Sequence, residues 1–341
     1  MRADQDDTRQ RQAEALLSRA GWTGATRRFL AGDASDRSYL RLLRPGGSAV
    51  LMDAPPGKGD DPRDFLRIAR HLRSLGLSAP EILAEDAGHG FLLLEDLGDD
   101  VYARLLRDQP ELELPLYEAA ADVLLHLQSR PAPADLPDPR AGDWAEAAGF
   151  ALDWYRRAVK GDTGDRVRFV ALLTDALHRH ADGPRVLILR DFHAENLLWL
   201  PERAGLARVG LLDFQLAQMG QPGYDLVSLL QDARRDVAPQ TEATVRRRFQ
   251  QALGVTQECF DTAYATFGAQ RALRILGIFA RLCLTAGKPG YLRLIPRVWD
   301  QLWRNLTHPE LRDLAELCRD LLPEPHPETL RIIESQCAPT P

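Results

Sequence analysis

The chain has 341 residues, 45% hydrophobic and 27% charged, with a formal net charge of -6. That length suits about two domains and buries a sizeable core without disulfide or metal staples. No apolar run approaches the ~20 residues of a membrane span, the opening MRADQDDTRQRQ is charged where a signal peptide is apolar, and the acidic balance argues against nucleic acid as a partner. Cys259, Cys283, Cys318 and Cys337 are scattered with no CxxC, so they read as reduced thiols. The expectation is a cytoplasmic enzyme, a monomer or weak dimer, with no membrane or nucleic-acid partner.

A helical segment runs to Ala20 and stops at Gly21. Three strand-like runs follow, 25–31, 37–43 and 48–54, separated by Gly32-Asp33-Ala34-Ser35 and Pro45-Gly46-Gly47. Pro62 then opens a helix whose apolar face is Phe65, Ile68, Ala69, Leu72 and Leu75. Two short strands, 81–85 and 91–95, end in Asp96-Leu97-Gly98. Beyond Gly98 the pattern turns helical: 101–107, 112–128, 144–159, 166–180 and several more between 226 and 333. One patch interrupts it, with strands at 186–189, 197–200 and 209–212, read as a short hairpin carrying polar residues at its edges. The fold class expected is α+β: a small antiparallel β lobe, residues 1–98, and a larger, mostly helical lobe, residues 99–341. Clefts between lobes commonly receive small ligands.

The chemistry concentrates in that patch. An apolar strand runs into Arg190-Asp191-Phe192-His193-Ala194-Glu195-Asn196 and returns to an apolar strand, and the next strand ends in Asp213-Phe214-Gln215. Two carboxylates and an asparagine at strand ends are hard oxygen ligands of the kind Mg²⁺ takes together with phosphate oxygens and water. The plain alternative is that Asp191 and Asp213 only cap turns. Their pairing within a chain of this layout favours the metal site.

The 190–196 run resembles the catalytic loop of the aminoglycoside phosphotransferase-like kinases, relatives of protein kinases, and Asp213-Phe-Gln matches their metal-binding motif. The resemblance covers nearly the whole chain from Phe29 onward. It implies a protein-kinase-like bilobal fold and the use of ATP with Mg²⁺, with Asp191 orienting the acceptor hydroxyl and Asn196 and Asp213 holding the metal. His193 would prop the loop. The first lobe would hold the nucleotide: Gly32, Asp33, Ala34 and Ser35 over the phosphates, and the backbone of Glu95 and Leu97 against the adenine edge.

One departure stands out. The third strand carries Met52 near the position of the family's lysine, and the helix after Pro62 has no glutamate. Lys58 is the only lysine in the first lobe. Arg37 or Arg41 could steady the phosphates, Lys58 could swing in, or the contact is absent; an inactive, nucleotide-binding pseudokinase scaffold is the extreme case. This departure, with Gly32-Asp-Ala-Ser35, Met52-Asp-Ala-Pro-Pro56 and Tyr224-Asp-Leu-Val-Ser-Leu-Leu, looks like the bacterial anomeric sugar kinases. These phosphorylate N-acetylmuramate and N-acetylglucosamine at C1 in peptidoglycan recycling. The second acid of that pattern is absent, since Leu216 follows Gln215.

Between Arg234 and Arg304 the chain has 12 basic and 5 acidic residues, which disfavours a polycationic acceptor such as an aminoglycoside. Choline and homoserine remain as other acceptors. Arg190, Gln215, Tyr224 and Arg234 are the candidates for the sugar, with Arg281 and Arg293 as further partners for a carboxylate. Asp225 fits a helix N-cap, and Trp154 and Tyr155 fit core packing.

Overall fold

The apolar patterning is followed closely in the computed structural model, which describes residues 2–31 and 37–339. Helix α1 (Arg2–Arg19) leads to strands β1 (Thr26–Ala31), β2 (Ser38–Arg44) and β3 (Gly47–Asp53), helix α2 (Pro62–Ser74), and strands β4 (Ile82–Asp86) and β5 (Phe91–Glu95). Next come helices α3 (Tyr102–Asp108), α4 (Glu113–Gln128), α5 (Ala141–Ala148), α6 (Arg157–Lys160) and α7 (Arg166–His180). Four short strands follow: β6 (Val186–Ile188), β7 (Leu197–Trp199), β8 (Val209–Leu211) and β9 (Gln218–Gly220). The chain closes with α8 (Gly223–Leu230), α9 (Pro239–Leu253), α10 (Gln257–Ala286), α11 (Ile295–Leu306), α12 (Arg312–Leu321) and α13 (Pro327–Glu334). Two compact units result, one of residues 1–127 with 189–217 and one of residues 128–188 with 218–341.

In the first unit β1 to β5 form one antiparallel sheet in the order β1-β2-β3-β5-β4. Its central strands are buried on both faces, which explains the unbroken apolar runs Ala49–Met52 and Phe91–Leu94. Ala13, Leu16 and Leu17 of α1 pack with Trp22, Leu42, Leu51, Phe91 and Leu93. Arg44 caps that cluster from outside, its guanidinium 3.9 Å from the Trp22 ring centroid. Helix α2 starts where the sequence places it: Pro62 sits in the first turn and the Asp61 side chain accepts from the Arg63 N–H at 2.9 Å.

The hairpin is β7 with β8, Leu197 opposite Leu211 and Trp199 opposite Val209. Strand β6 does not join it. In the second unit β6 pairs antiparallel with β9, a three-residue strand whose Gln-Met-Gly sequence carries no strand pattern. The helix expected over 144–159 is also interrupted, because α5 runs into a wider π turn at 151–156 before α6.

The 30-residue α10 is the spine of the second unit and packs on α11, α5, α7 and α8. Gly277 permits this, since a Cβ there would stand 2.2 Å from the Phe150 backbone carbon. Arg271 of the spine donates to the Ser228 hydroxyl at 2.6 Å, and beside it the Gln231 and Asn305 amides bond each other reciprocally. Tyr155 is fully buried with its hydroxyl on the Pro323 carbonyl, a core position.

Two expectations are corrected. Cys283 and Cys337 are disulfide-bonded, 54 residues apart with Cα atoms 4.8 Å from each other, because the tail after α13 returns to the end of α10. Among the described residues Cys259 and Cys318 are free, the first exposed and the second buried. Asp225 is not the N-cap of α8; Pro222 is, and Asp225 lies fully buried in the first turn. No helix of the described residues is long and apolar enough to cross a membrane.

Candidate active site

The loop and strand end that carry the chemistry belong to the first unit, and the backbone locks them together. The Leu212 N–H donates to the Asn196 carbonyl at 2.9 Å, one residue before Asp213. The Asn196 side-chain Nδ2 donates to the Asp191 carbonyl at 2.8 Å, and the Asn196 N–H donates to the His193 carbonyl at 2.9 Å. The loop is also anchored from outside, the Ala103 N–H of α3 donating to the Ala194 carbonyl at 3.0 Å. His193 is buried, with Nε2 3.5 Å from Asn196 Nδ2, as suits a prop.

Asp213 is exposed, whereas its neighbour Phe214 is fully buried and stacks on Phe65 of α2, ring centroids 4.8 Å apart. The pair fixes the Asp213 backbone while leaving its carboxylate in solvent. That backbone is left-handed, φ +54, and Arg190 at the loop entry is too, φ +71. A residue other than glycine held there costs of order 1–3 kcal/mol, so the surrounding bonds must impose it. Gln215, 5% exposed, donates Nε2 to Asp213 Oδ1 at 2.9 Å and to Asp60 Oδ2 at 3.4 Å. Asp60 in turn is ion-paired with Arg37, which is 5% exposed.

These donors fit Mg²⁺. With Nδ2 of Asn196 committed to Asp191, its Oδ1 is the atom left to face an ion, and Gln215 occupies Asp213 Oδ1 but not Oδ2. Among the described residues no three His, Cys, Asp or Glu side chains form a cage.

Strand β5 ends at Glu95, whose carboxylate bonds Arg203 at 2.5 Å and the Glu81 N–H at 3.1 Å. Its own N–H donates to the Glu81 carbonyl, so the adenine contact expected of the Glu95 backbone falls to its carbonyl. Leu97 lies over β8: a Cβ on Gly210 would stand 3.4 Å from Leu97 and 3.1 Å from Leu198. Arg41, a candidate phosphate ligand, is instead spent on the turn after β5, pairing with Asp96 and Asp99 and donating to the Gly98 carbonyl. Met52 is fully buried and Lys58 is exposed. Gly32, Asp33, Ala34 and Ser35 lie outside the described residues.

The sugar candidates fall in both units. Gln215 adjoins Asp213, and Arg190 opens the loop. Tyr224, in the second unit, is 1% exposed, its ring between Trp144 at 4.7 Å and Phe267 at 6.1 Å; that is a packing position. Arg234 is half-buried, and Arg281 and Arg293 are exposed. Two hollows, about 620 Å³ beside Arg70 and Glu81 and about 410 Å³ around Glu242 and Tyr264, are not lined by Asp191, Asn196 or Asp213. Sequence reasoning missed Asp60. Asp60 precedes Asp61-Pro62, so it reads as part of a helix start, and nothing local distinguishes it.

Residues 26–265 match the phosphotransferase enzyme family. An N-acetylmuramate/N-acetylglucosamine kinase of Caulobacter vibrioides is 38% identical over 338 residues, covering 88% of this chain and 93% of that protein. One from Pseudomonas aeruginosa is 35% identical over 303 residues, covering 85% and 86%. A choline/ethanolamine kinase family protein from Mesorhizobium loti superposes with a TM-score of 0.64 at 16% identity, over 97% of this chain and 99% of that one, and so shares the fold.

Proposed function

Since the chain belongs to the phosphotransferase enzyme family, we propose that it transfers the γ-phosphoryl group of ATP to the anomeric hydroxyl of N-acetylmuramate and/or N-acetylglucosamine. The product would be the sugar 1-phosphate, as cell-wall recycling requires. The observation that carries the reading is the bonded chain Asp191–Asn196–Leu212, which sets the loop beside the strand end of Asp213.

Asp191 orients the anomeric hydroxyl toward the γ-phosphorus and accepts its proton as the new O–P bond forms and the bond from the γ-phosphorus to the bridging oxygen breaks, releasing ADP. Asn196 and Asp213 hold Mg²⁺, which when bound neutralises charge on the phosphate oxygens. Gly32, Asp33, Ala34 and Ser35 cover the phosphates through backbone N–H groups, Arg37 adds a fixed positive charge, and Glu95 and Leu97 receive the adenine. Arg190, Gln215 and Arg234 are the residues for the sugar; Tyr224 is withdrawn to packing because its ring is enclosed.

Coupled detection of ADP tests the reading. With ATP and Mg²⁺, N-acetylmuramate or N-acetylglucosamine should stimulate ADP release, while choline, homoserine and aminoglycosides should not. Nucleotide binding without sugar-dependent turnover would make the protein a scaffold and end the proposal.

A further inference from the structure

The hairpin of β7 and β8, within the first unit, has two ends. At one stand Asn196 and Asp213, the residues proposed for Mg²⁺; at the other the connecting turn carries Arg203. Neighbouring chain runs along both strands between them. Beside β7, Val101 bridges to Leu198 and the Trp199 N–H donates to the Asp100 carbonyl at 2.8 Å. Beside β8, Ser78 bridges to Gly210 and the Leu211 N–H donates to the Ser78 carbonyl at 2.9 Å, two residues before Asp213.

Arg203 closes this frame. Its Nη2 donates to Glu95 Oε1 at 2.5 Å and its Nη1 to Ser78 Oγ at 2.7 Å, and that hydroxyl donates onward to the Ala207 carbonyl at 2.6 Å. One rigid guanidinium fork thus holds the end of β5, where adenine is proposed to bind, and the buried serine whose carbonyl holds β8. The Arg203 backbone is fixed as well: its N–H donates to the Leu200 carbonyl at 3.1 Å, and its carbonyl accepts from Arg208 Nε at 2.9 Å. ATP is a ligand with two anchors, adenine at one end and metal-bound phosphates at the other. The affinity gained by joining two anchors depends on how rigidly the protein holds their spacing.

We infer that Arg203 is a positioning residue which, through Glu95 and Ser78, fixes the adenine end of β5 against the hairpin bearing Asn196 and Asp213, and so sets the distance between the two anchors. The inference rests on the kinase reading above. It differs from a plain structural ion pair: the Arg203 and Glu95 side chains are 26% and 27% exposed, and a pair of that kind would add a little stability without linking adenine to metal.

The test is calorimetric titration of the full chain, without sugar, with adenosine and with ATP plus Mg²⁺, alongside thermal melting. Arg203→Ala should leave adenosine affinity unchanged and weaken binding of ATP with Mg²⁺ by about 10-fold, within the range for residues that carry coupling between two sites. Arg203→Lys should recover part of that loss, since one ammonium keeps Glu95 but not the fork. Ser78→Ala should show the same pattern more weakly, and adding it to Arg203→Ala should cost nothing further. Glu202→Ala, in the same turn, should match the parent chain. Unchanged affinity for ATP with Mg²⁺ in Arg203→Ala would overturn the inference, as would an equal loss for adenosine, or a lower melting temperature with both affinities intact. Should Arg203→Ala fail to fold, Arg203→Lys and Ser78→Ala carry the same comparison. If the parent chain binds ATP but no sugar elicits turnover, the function proposed above fails while the calorimetry still decides the role of Arg203.

Discussion

Asn196→Asp separates the two jobs assigned to one side chain. In the parent chain Nδ2 lies 2.8 Å from the Asp191 carbonyl oxygen, and the proposal gives Oδ1 to the metal. The carboxylate of the variant keeps an oxygen for Mg²⁺ and adds charge, but it cannot donate, so an anion faces the carbonyl oxygen. Losing that bond and leaving the acceptor unsatisfied costs about 1–3 kcal/mol. Since ~1.4 kcal/mol is tenfold in rate, kcat should fall about 10- to 100-fold as Asp191 leaves its position. The Mg²⁺ concentration for half-maximal rate should stay level or drop, because a hard cation gains a carboxylate. Asn196→Ala loses both functions and should raise the Mg²⁺ requirement while lowering kcat. The assay is coupled ADP release over a Mg²⁺ series, with melting temperature as the control for folding. An Asn196→Asp protein with parental kcat would refute the bracing role; one that needs as much extra Mg²⁺ as Asn196→Ala would refute the division of labour.

Four further outcomes follow from the packing. Phe214→Ala removes a fully buried ring stacked on Phe65, which should cost about 3–5 kcal/mol in thermal or urea unfolding and depress kcat by releasing Asp213. Met52→Ala, harmless if only charge mattered, empties a fully enclosed site and should cost about 2–5 kcal/mol, with kcat retained by the folded protein. In the unreduced protein, thiol titration should find Cys259 at once and Cys318 only on unfolding, since burial pushes the Cys318 thiol up to about 12. Two more thiols should appear after reduction, and closing a 54-residue loop implies that Cys337→Ser loses about 4 kcal/mol in the chain-entropy picture.

The sheet was readable because its strands are apolar runs punctuated by glycine and proline, and Phe91–Glu95 and Arg166–His180 fall where patterning puts them. What escaped depends on partners distant in sequence. Gln218–Gly220 is a strand only because Val186–Ile188 lies beside it. The Cys283–Cys337 pairing depends on how the tail returns to α10. The site divides in the same way: Asp191, Asn196 and Asp213 stand in a motif whose spacing is itself the signal for the chemistry proposed, whereas the Asp60 cluster forms only when Arg37 and Gln215 arrive from other segments. Asp225 shows the opposite error, a local capping signal overridden by burial.

The most direct measurement is ³¹P NMR of the product formed from ATP, Mg²⁺ and N-acetylglucosamine, with Asp191→Ala as the control. Transfer to the anomeric oxygen predicts a phosphomonoester signal coupled to a single sugar proton, loss of the reducing end, and no such signal with the variant. A signal split by the two protons of a methylene group, or ATP left intact beside the sugar, would contradict the account.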